Sequence, residues 1–272
     1  MKYRNILTMC LSLVLALPAV AVAQERAPRV TLADAKPGDV RMFVSGAMRA
    51  PIEAVRDQLE KAAGHPILMQ SSESKVLQQS MEAGQPFEVA LITREVTDDM
   101  TSKGKIVAGS GVDIATVRLG VAVRGDAPKI DISTADGLKK AILGATYVSR
   151  FYGLGASVPM ADNLFSKLGV TDALKGRIVA LGGGEGIAGL APAPRPPLAP
   201  GQYEMILNLA SEVIPLKGWT YLGFAPEQFQ VPILLVASVG SAGDAKAAAA
   251  VISVLKSPAF DAALKTFALT RK

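Results

Sequence analysis

The 272 residues carry 29 Lys and Arg against 24 Asp and Glu, and half of them are hydrophobic. Cys10 and His65 are the sole cysteine and histidine, which excludes disulfides, Cys-ligated zinc and any chemistry needing several histidines. The formal charge of +5 contains no dense Lys/Arg run and little aromatic interleaving, which argues against a nucleic-acid partner.

Lys2 and Arg4 open the chain, an almost wholly apolar run covers 6–22, and Ala21-Val22-Ala23 precedes Gln24. This pattern reads as a secretory signal peptide over 1–23, and so as export to the periplasm of a bacterium with two membranes. A retained anchor is the alternative, but the run barely reaches the roughly 18–20 residues that a span needs. Cys10 lies inside this segment behind Met9, a poor lipidation context, and removal of Lys2 and Arg4 would lower the charge from +5 to +3. The remaining roughly 250 residues suffice for one large domain or two lobes.

Residues 40–45 read as a strand, Gly46-Ala47-Met48-Arg49 as a tight loop, and Pro51 as the first turn of a helix with Ile52, Val55, Leu59 and Ala62 on one face. Gly64 is a natural stop, and His65 reads as a turn residue. A second strand is expected at 66–70, and Ser71-Ser72-Glu73-Ser74 offers N-caps for a helix over 75–83. Strands follow at 88–93 and 117–123, and the β-α-β-α-β rhythm predicts a mostly parallel sheet wrapped by helices. The units resume after Asp126-Ala127-Pro128, with a helix at 134–143, a strand at 145–149, a Gly-rich loop and a helix at 158–168. A strand at 177–181 leads to the glycines of 182–186, which lack the Lys-Ser/Thr of a phosphate loop, and then to the irregular proline-rich stretch 191–200. Strands at 203–209 and 231–237 and two helices broken at Ser257-Pro258 close the chain. Two successive α/β sections with a return strand suggest two lobes, at 29–121 with 232–272 and at 122–231.

Several segments carry a family resemblance. They are Met42-Phe43-Val44-Ser45-Gly46-Ala47 with its amphipathic helix, Met81-Glu82-Ala83-Gly84-Gln85-Pro86-Phe87-Glu88-Val89, Val121-Ala122-Val123-Arg124-Gly125-Asp126-Ala127-Pro128-Lys129, Gly155-Ala156-Ser157, Ser166-Lys167-Leu168-Gly169-Val170 and Leu255-Lys256-Ser257-Pro258. Their order and spacing resemble the molybdate-binding-protein-like group of type II periplasmic binding proteins from about residue 40 onward. The resemblance implies a two-lobed α/β fold with a central cleft, where helix N-termini and hydroxyls hold ligand oxygens. It also implies a monomer without cofactor or metal, handing a small anionic ligand to an ABC permease.

Carried over residue by residue, Ser74 matches an oxyanion-binding serine of the group, while the first-loop serine position is Ala47, with Ser45 two residues earlier. The second-lobe contacts fall at Ala156 or Ser157 and near Gly186, and a tyrosine contact becomes Asn208. The loss of that serine and tyrosine disfavours molybdate and tungstate. The stretch 191–200 also departs from the family pattern.

Arg49 beside Gly46 and Ala47 is a candidate bidentate clamp for a carboxylate. Arg150 and Arg94, each at a strand end, and the hydroxyls of Ser72 and Ser74 are further ligand candidates, since ligands sit beyond the carboxyl ends of parallel strands. Arg118 reads as an edge or hinge charge, and Tyr152 as a cover or a packing residue. The expected function is therefore a solute-binding protein for an organic carboxylate. Two alternatives stay open: an enzyme like periplasmic aconitate isomerase, drawing its acid/base group from Ser, Tyr or Glu185, or a ligand-sensing partner of a membrane receptor.

Overall fold

The computed structural model describes residue 32 and residues 35–151, 155–181 and 197–272. The expected signal peptide, Tyr152, Glu185, Gly186 and most of the proline-rich stretch lie outside the described residues.

The first sheet begins with β1 (Val40–Ser45), which leads into α1 (Gly46–Ala54) and α2 (Arg56–Ala63). Then come β2 (Ile67–Ser72), α3 (Ser74–Glu82), β3 (Val89–Thr93), α4 (Arg94–Ser102) and β4 (Val112–Val117). The chain passes at Arg118 into β5 (Leu119–Gly125), the first strand of a second sheet. That sheet is completed through α5 (Ala135–Gly144), β6 (Tyr147–Phe151), α6 (Ser157–Leu168), β7 (Ile178–Leu181), β8 (Tyr203–Leu209), α7 (Ala210–Val213) and β9 (Thr220–Phe224). The chain returns through β10 (Ile233–Val239) and finishes with α8 (Ala245–Leu255), α9 (Pro258–Thr266) and β11 (Thr270–Arg271). The strand orders are β11-β4-β10-β3-β1-β2 and β7-β6-β8-β5-β9, one sheet per lobe.

Both sheets are mixed, with four parallel and five antiparallel strand pairs among the described residues, where a mostly parallel sheet was expected. The βαβ units are parallel as read. Crossing and returning strands add the antiparallel partners, and a continuous apolar run does not disclose its partner's direction. The run 117–123 is two strands in different sheets, and 119–121, assigned to the first lobe from sequence, pairs with β8 and β9 of the second. Both crossings are stapled by Gln230. Its Oε1 accepts from Leu119 N at 2.8 Å, while its Nε2 donates to Leu119 O at 2.9 Å and Ala225 O at 2.7 Å.

Helix α1 starts at Gly46 with no intervening loop, so Gly46–Arg49 is its first turn and Pro51 lies in its interior. Proline removes one helical donor and crowds the preceding turn, and the helix breaks at Val55 (φ −119°, ψ 15°) before α2 continues. Gly64 ends α2 at φ 72°, a left-handed conformation that favours glycine. One large hydrophobic cluster spans both sheets, smaller ones gather around Phe43 and Ile206, and β8 is buried along its whole length, including Glu204 and Asn208. Glu204 is held by Ser149 and Arg124, and Glu88 by Arg41, so the buried charges have partners.

Candidate ligand cleft

Strands β1, β2 and β3 run parallel, so their carboxyl ends emerge on one edge of the first sheet. Ser45 and Ser72 are register partners at that edge, and Ser74 Oγ accepts from Thr93 N at 3.2 Å, tying the second and third loops together. The starts of α1, α3 and α4 therefore stand side by side. Across from them, the parallel β6 and β8 deliver the start of α6 and the short α7. The space between the two edges is a cleft of about 1010 Å³, lined on one side by Ser45, Gly46, Arg49 and Ser74 and on the other by Ala156, Ser157, Ser211 and Glu212.

The long helices that start at the cleft share one feature. Helices α1, α3, α4 and α6 receive no side-chain hydrogen bond from their N-cap residues, although Ser45 and Thr93 occupy two of those positions. Outside the cleft, α5, α8 and α9 are capped by Thr134, Asp244 and Ser257, whereas α2, which continues from the break at Val55, has no side-chain cap. The first four N–H groups of any helix lack intrahelical acceptors. Where Thr134, Asp244 and Ser257 accept from such groups, the helices on the cleft have no such side-chain competitor, although Val76 N and Val158 N bond the backbone carbonyls of Glu73 and Gly155 and Pro159 has no N–H to offer. An N-terminus also carries roughly half a positive charge, which suits an anion.

Nine of the twelve candidate residues line the cleft: Ser45, Gly46, Ala47, Arg49, Ser72, Ser74, Arg94, Ala156 and Ser157. Arg94 is engaged by Asp98 at 3.5 Å and by Asp113, which draws its guanidinium to the rim. Arg150 is not a lining residue. Neighbouring side chains in a strand point to opposite faces: Ser149 bonds buried Glu204, while Arg150 reaches Asp162 of α6 at 3.2 Å. Asn208 is not a lining residue either, and its Nδ2 donates to Glu212 Oε2 at 2.6 Å. Gly186 is outside the described residues. His65 is exposed in the turn after α2 and is not a lining residue. The serines expected as caps are not used as such, since Glu73 holds the N-cap position of α3 and Ser72 Oγ meets its carboxylate at 3.4 Å.

Glu212 is the residue that sequence reasoning missed. It keeps partial exposure toward the cleft, yet its carboxyl is deep enough that desolvation pushes its pKa up to about 7. Asn208 opposes that rise, and the Glu73 charge adds to it. Its Oε1 is packed so closely on Gly46 that a Cβ there would lie 2.6 Å from it. Glu73 makes the converse approach: a Cβ on Gly155, ahead of α6, would lie 3.4 Å from its Cγ. The only sequence hint of Glu212 was its place just after a buried strand ending Asn208-Leu209.

The family model described as bacterial extracellular solute-binding protein matches residues 40–267, and the chain belongs to that family. Its fold is that of a type II periplasmic binding protein of the molybdate-binding-like kind. It is similar to the Azotobacter vinelandii periplasmic molybdate-binding protein (TM-score 0.65, 17% identity, covering 85% of this chain and 98% of that one). It is also similar to the substrate-binding domain of a putative molybdenum ABC transporter from Clostridium difficile (TM-score 0.58, 15% identity, 86% and 99% covered). A third similar structure is the sulfate-binding protein SubI from Mycobacterium tuberculosis H37Rv (TM-score 0.56, 15% identity, 85% and 84% covered). No curated protein sequence matches.

Proposed function

We propose that this protein is the periplasmic, monomeric binding component of an ABC importer and captures a small organic carboxylate between its two lobes. The observation that carries this reading is the set of uncapped helix starts around the cleft, with Arg49 among them. Structural relatives named for molybdate and sulfate support an anion as the solute. Two features favour an organic anion over a bare tetrahedral one. The cleft volume of about 1010 Å³ lies at the upper end of the roughly 300–1,000 Å³ typical of pockets for organic ligands. In addition, Glu73 and Glu212 in the lining would repel a compact dianion with nothing to donate to them.

Glu212 also favours a second reading, an isomerase like the one acting on aconitate. A carboxyl pushed up to about 7 is suited to taking and returning a proton near neutral pH, and an allylic proton shift needs no metal.

The test is a thermal-shift screen of the exported, processed protein with molybdate, tungstate, sulfate, citrate and both aconitate isomers, followed by NMR of any hit. A ligand at about 100 times its Kd adds roughly 2.7 kcal/mol of stability. Stabilisation by a carboxylate without turnover supports import. Conversion of one aconitate isomer into the other makes the protein an enzyme. Stabilisation by molybdate or tungstate alone overturns the carboxylate reading.

A further inference from the structure

Each lobe sends a glutamate to the opposite lobe's helix start. Glu212 of the second lobe lies against Gly46 at the start of α1, and Glu73 of the first lies against Gly155 just before α6. An anion site has no evident use for two carboxylates. The cations of the lining other than Arg49 are engaged elsewhere: Lys75 pairs with Glu95 at 2.6 Å, and Arg94 with Asp98 and Asp113. Ser72 is the donor to Glu73, and Asn208 Nδ2 is the donor to Glu212, leaving acceptor capacity on both carboxylates.

Ser211 is an independent sign that something polar belongs in this corner. It lines the cleft beside Glu212, is only 1% exposed, and its hydroxyl has no hydrogen-bond partner among the described residues. Buried hydroxyls are nearly always paired, and leaving one unpaired costs about 1–3 kcal/mol.

We infer that the ligand carries both an anionic group, for the uncapped helix starts and Arg49, and a hydrogen-bond-donating group, hydroxyl or ammonium, that Glu73, Glu212 and Ser211 receive. This rests on the carboxylate reading above and sharpens it. An anion without a donor leaves the remaining acceptor capacity of Glu73 and Glu212 and the hydroxyl of Ser211 unfilled, and a site built around a donor rejects the analogue that lacks one.

The experiment is calorimetric titration of the exported, processed protein with probes that differ only in the donor: succinate, malate and aspartate, and tricarballylate against citrate. Malate or aspartate should bind at least about tenfold tighter than succinate, or citrate than tricarballylate. Glu212→Gln and Glu73→Gln should each reduce that ratio toward one. Equal binding of donor-bearing and donor-free probes overturns this inference while leaving the carboxylate reading intact. Binding of putrescine with none of the five anions overturns both. Should one variant fail to fold, the other and the wild-type ratios still decide.

Discussion

Replacing Glu212 by glutamine should change how stability depends on pH. The folded protein holds this carboxyl up at about 7 against an ordinary 4.5, mainly through desolvation. Between those values the folded state binds a proton that the unfolded chain has released, so stability falls as pH rises. The contribution of this group is fully present below 4.5 and lost as pH passes about 7. At about 1.36 kcal/mol per pH unit, the loss amounts to about 3 kcal/mol. Helix α7 packs against α1, β5, β8 and β9. Among the charges in this cleft, that of Glu73 drives Glu212 up further. Glutamine keeps the shape and carries no charge, so the mutant should escape the penalty. Urea unfolding at about pH 5 and pH 8 provides the measurement: Glu212→Gln should match the wild type within about 1 kcal/mol at the lower pH and exceed it by about 2–3 kcal/mol at the higher. Parallel pH profiles for the two proteins would show that Glu212 is ordinarily solvated and would refute the argument.

Other expectations follow from single contacts. Gly46→Ala places a methyl 2.6 Å from Glu212 Oε1. The contact is with the far end of a side chain that can turn aside, so calorimetric stability should hold within about 1 kcal/mol while affinity for the cleft ligand falls about tenfold. In the Glu212→Ala background the same change should cost nothing more, since the obstruction is gone. Arg41→Ala strips buried Glu88 of its bonds at 2.6 Å and 3.0 Å from the guanidinium and should destabilise the protein by about 3–5 kcal/mol in chemical unfolding. Gln230→Ala removes the staple between the two crossings. It should cost about 1–3 kcal/mol and raise amide exchange at Leu119, whose N–H donates to it.

Much of the local structure was legible in the chain. Buried strands such as 40–45 and 203–209, the stop at Gly64 and the break at Ser257-Pro258 follow from apolar runs, a left-handed glycine and a serine cap before proline, all of which are local effects. Helix α4, strands β4 and β9 and helix α7 were not read, because polar or short segments give no clear period and are stabilised by what they pack against. Ser45, Ser72, Ser74 and Arg49 could be placed at the cleft because they end a parallel strand or stand in the first turn of the helix after one. Arg150 also sits near a strand end, yet α6 supplies Asp162 and draws it away.

The sequence by itself determined the fold class, the two-lobed organisation and the loops that would meet, since these depend on pattern and connectivity. Only the tertiary structure decided which charges remain in the cleft. Whether Arg94 is engaged, whether Asn208 touches ligand or orients Glu212, and whether a glutamate is raised to about 7 all depend on partners distant in the chain and on burial created by lobe packing. Electrostatic energy scales with distance and local dielectric, and neither quantity is written in the order of residues.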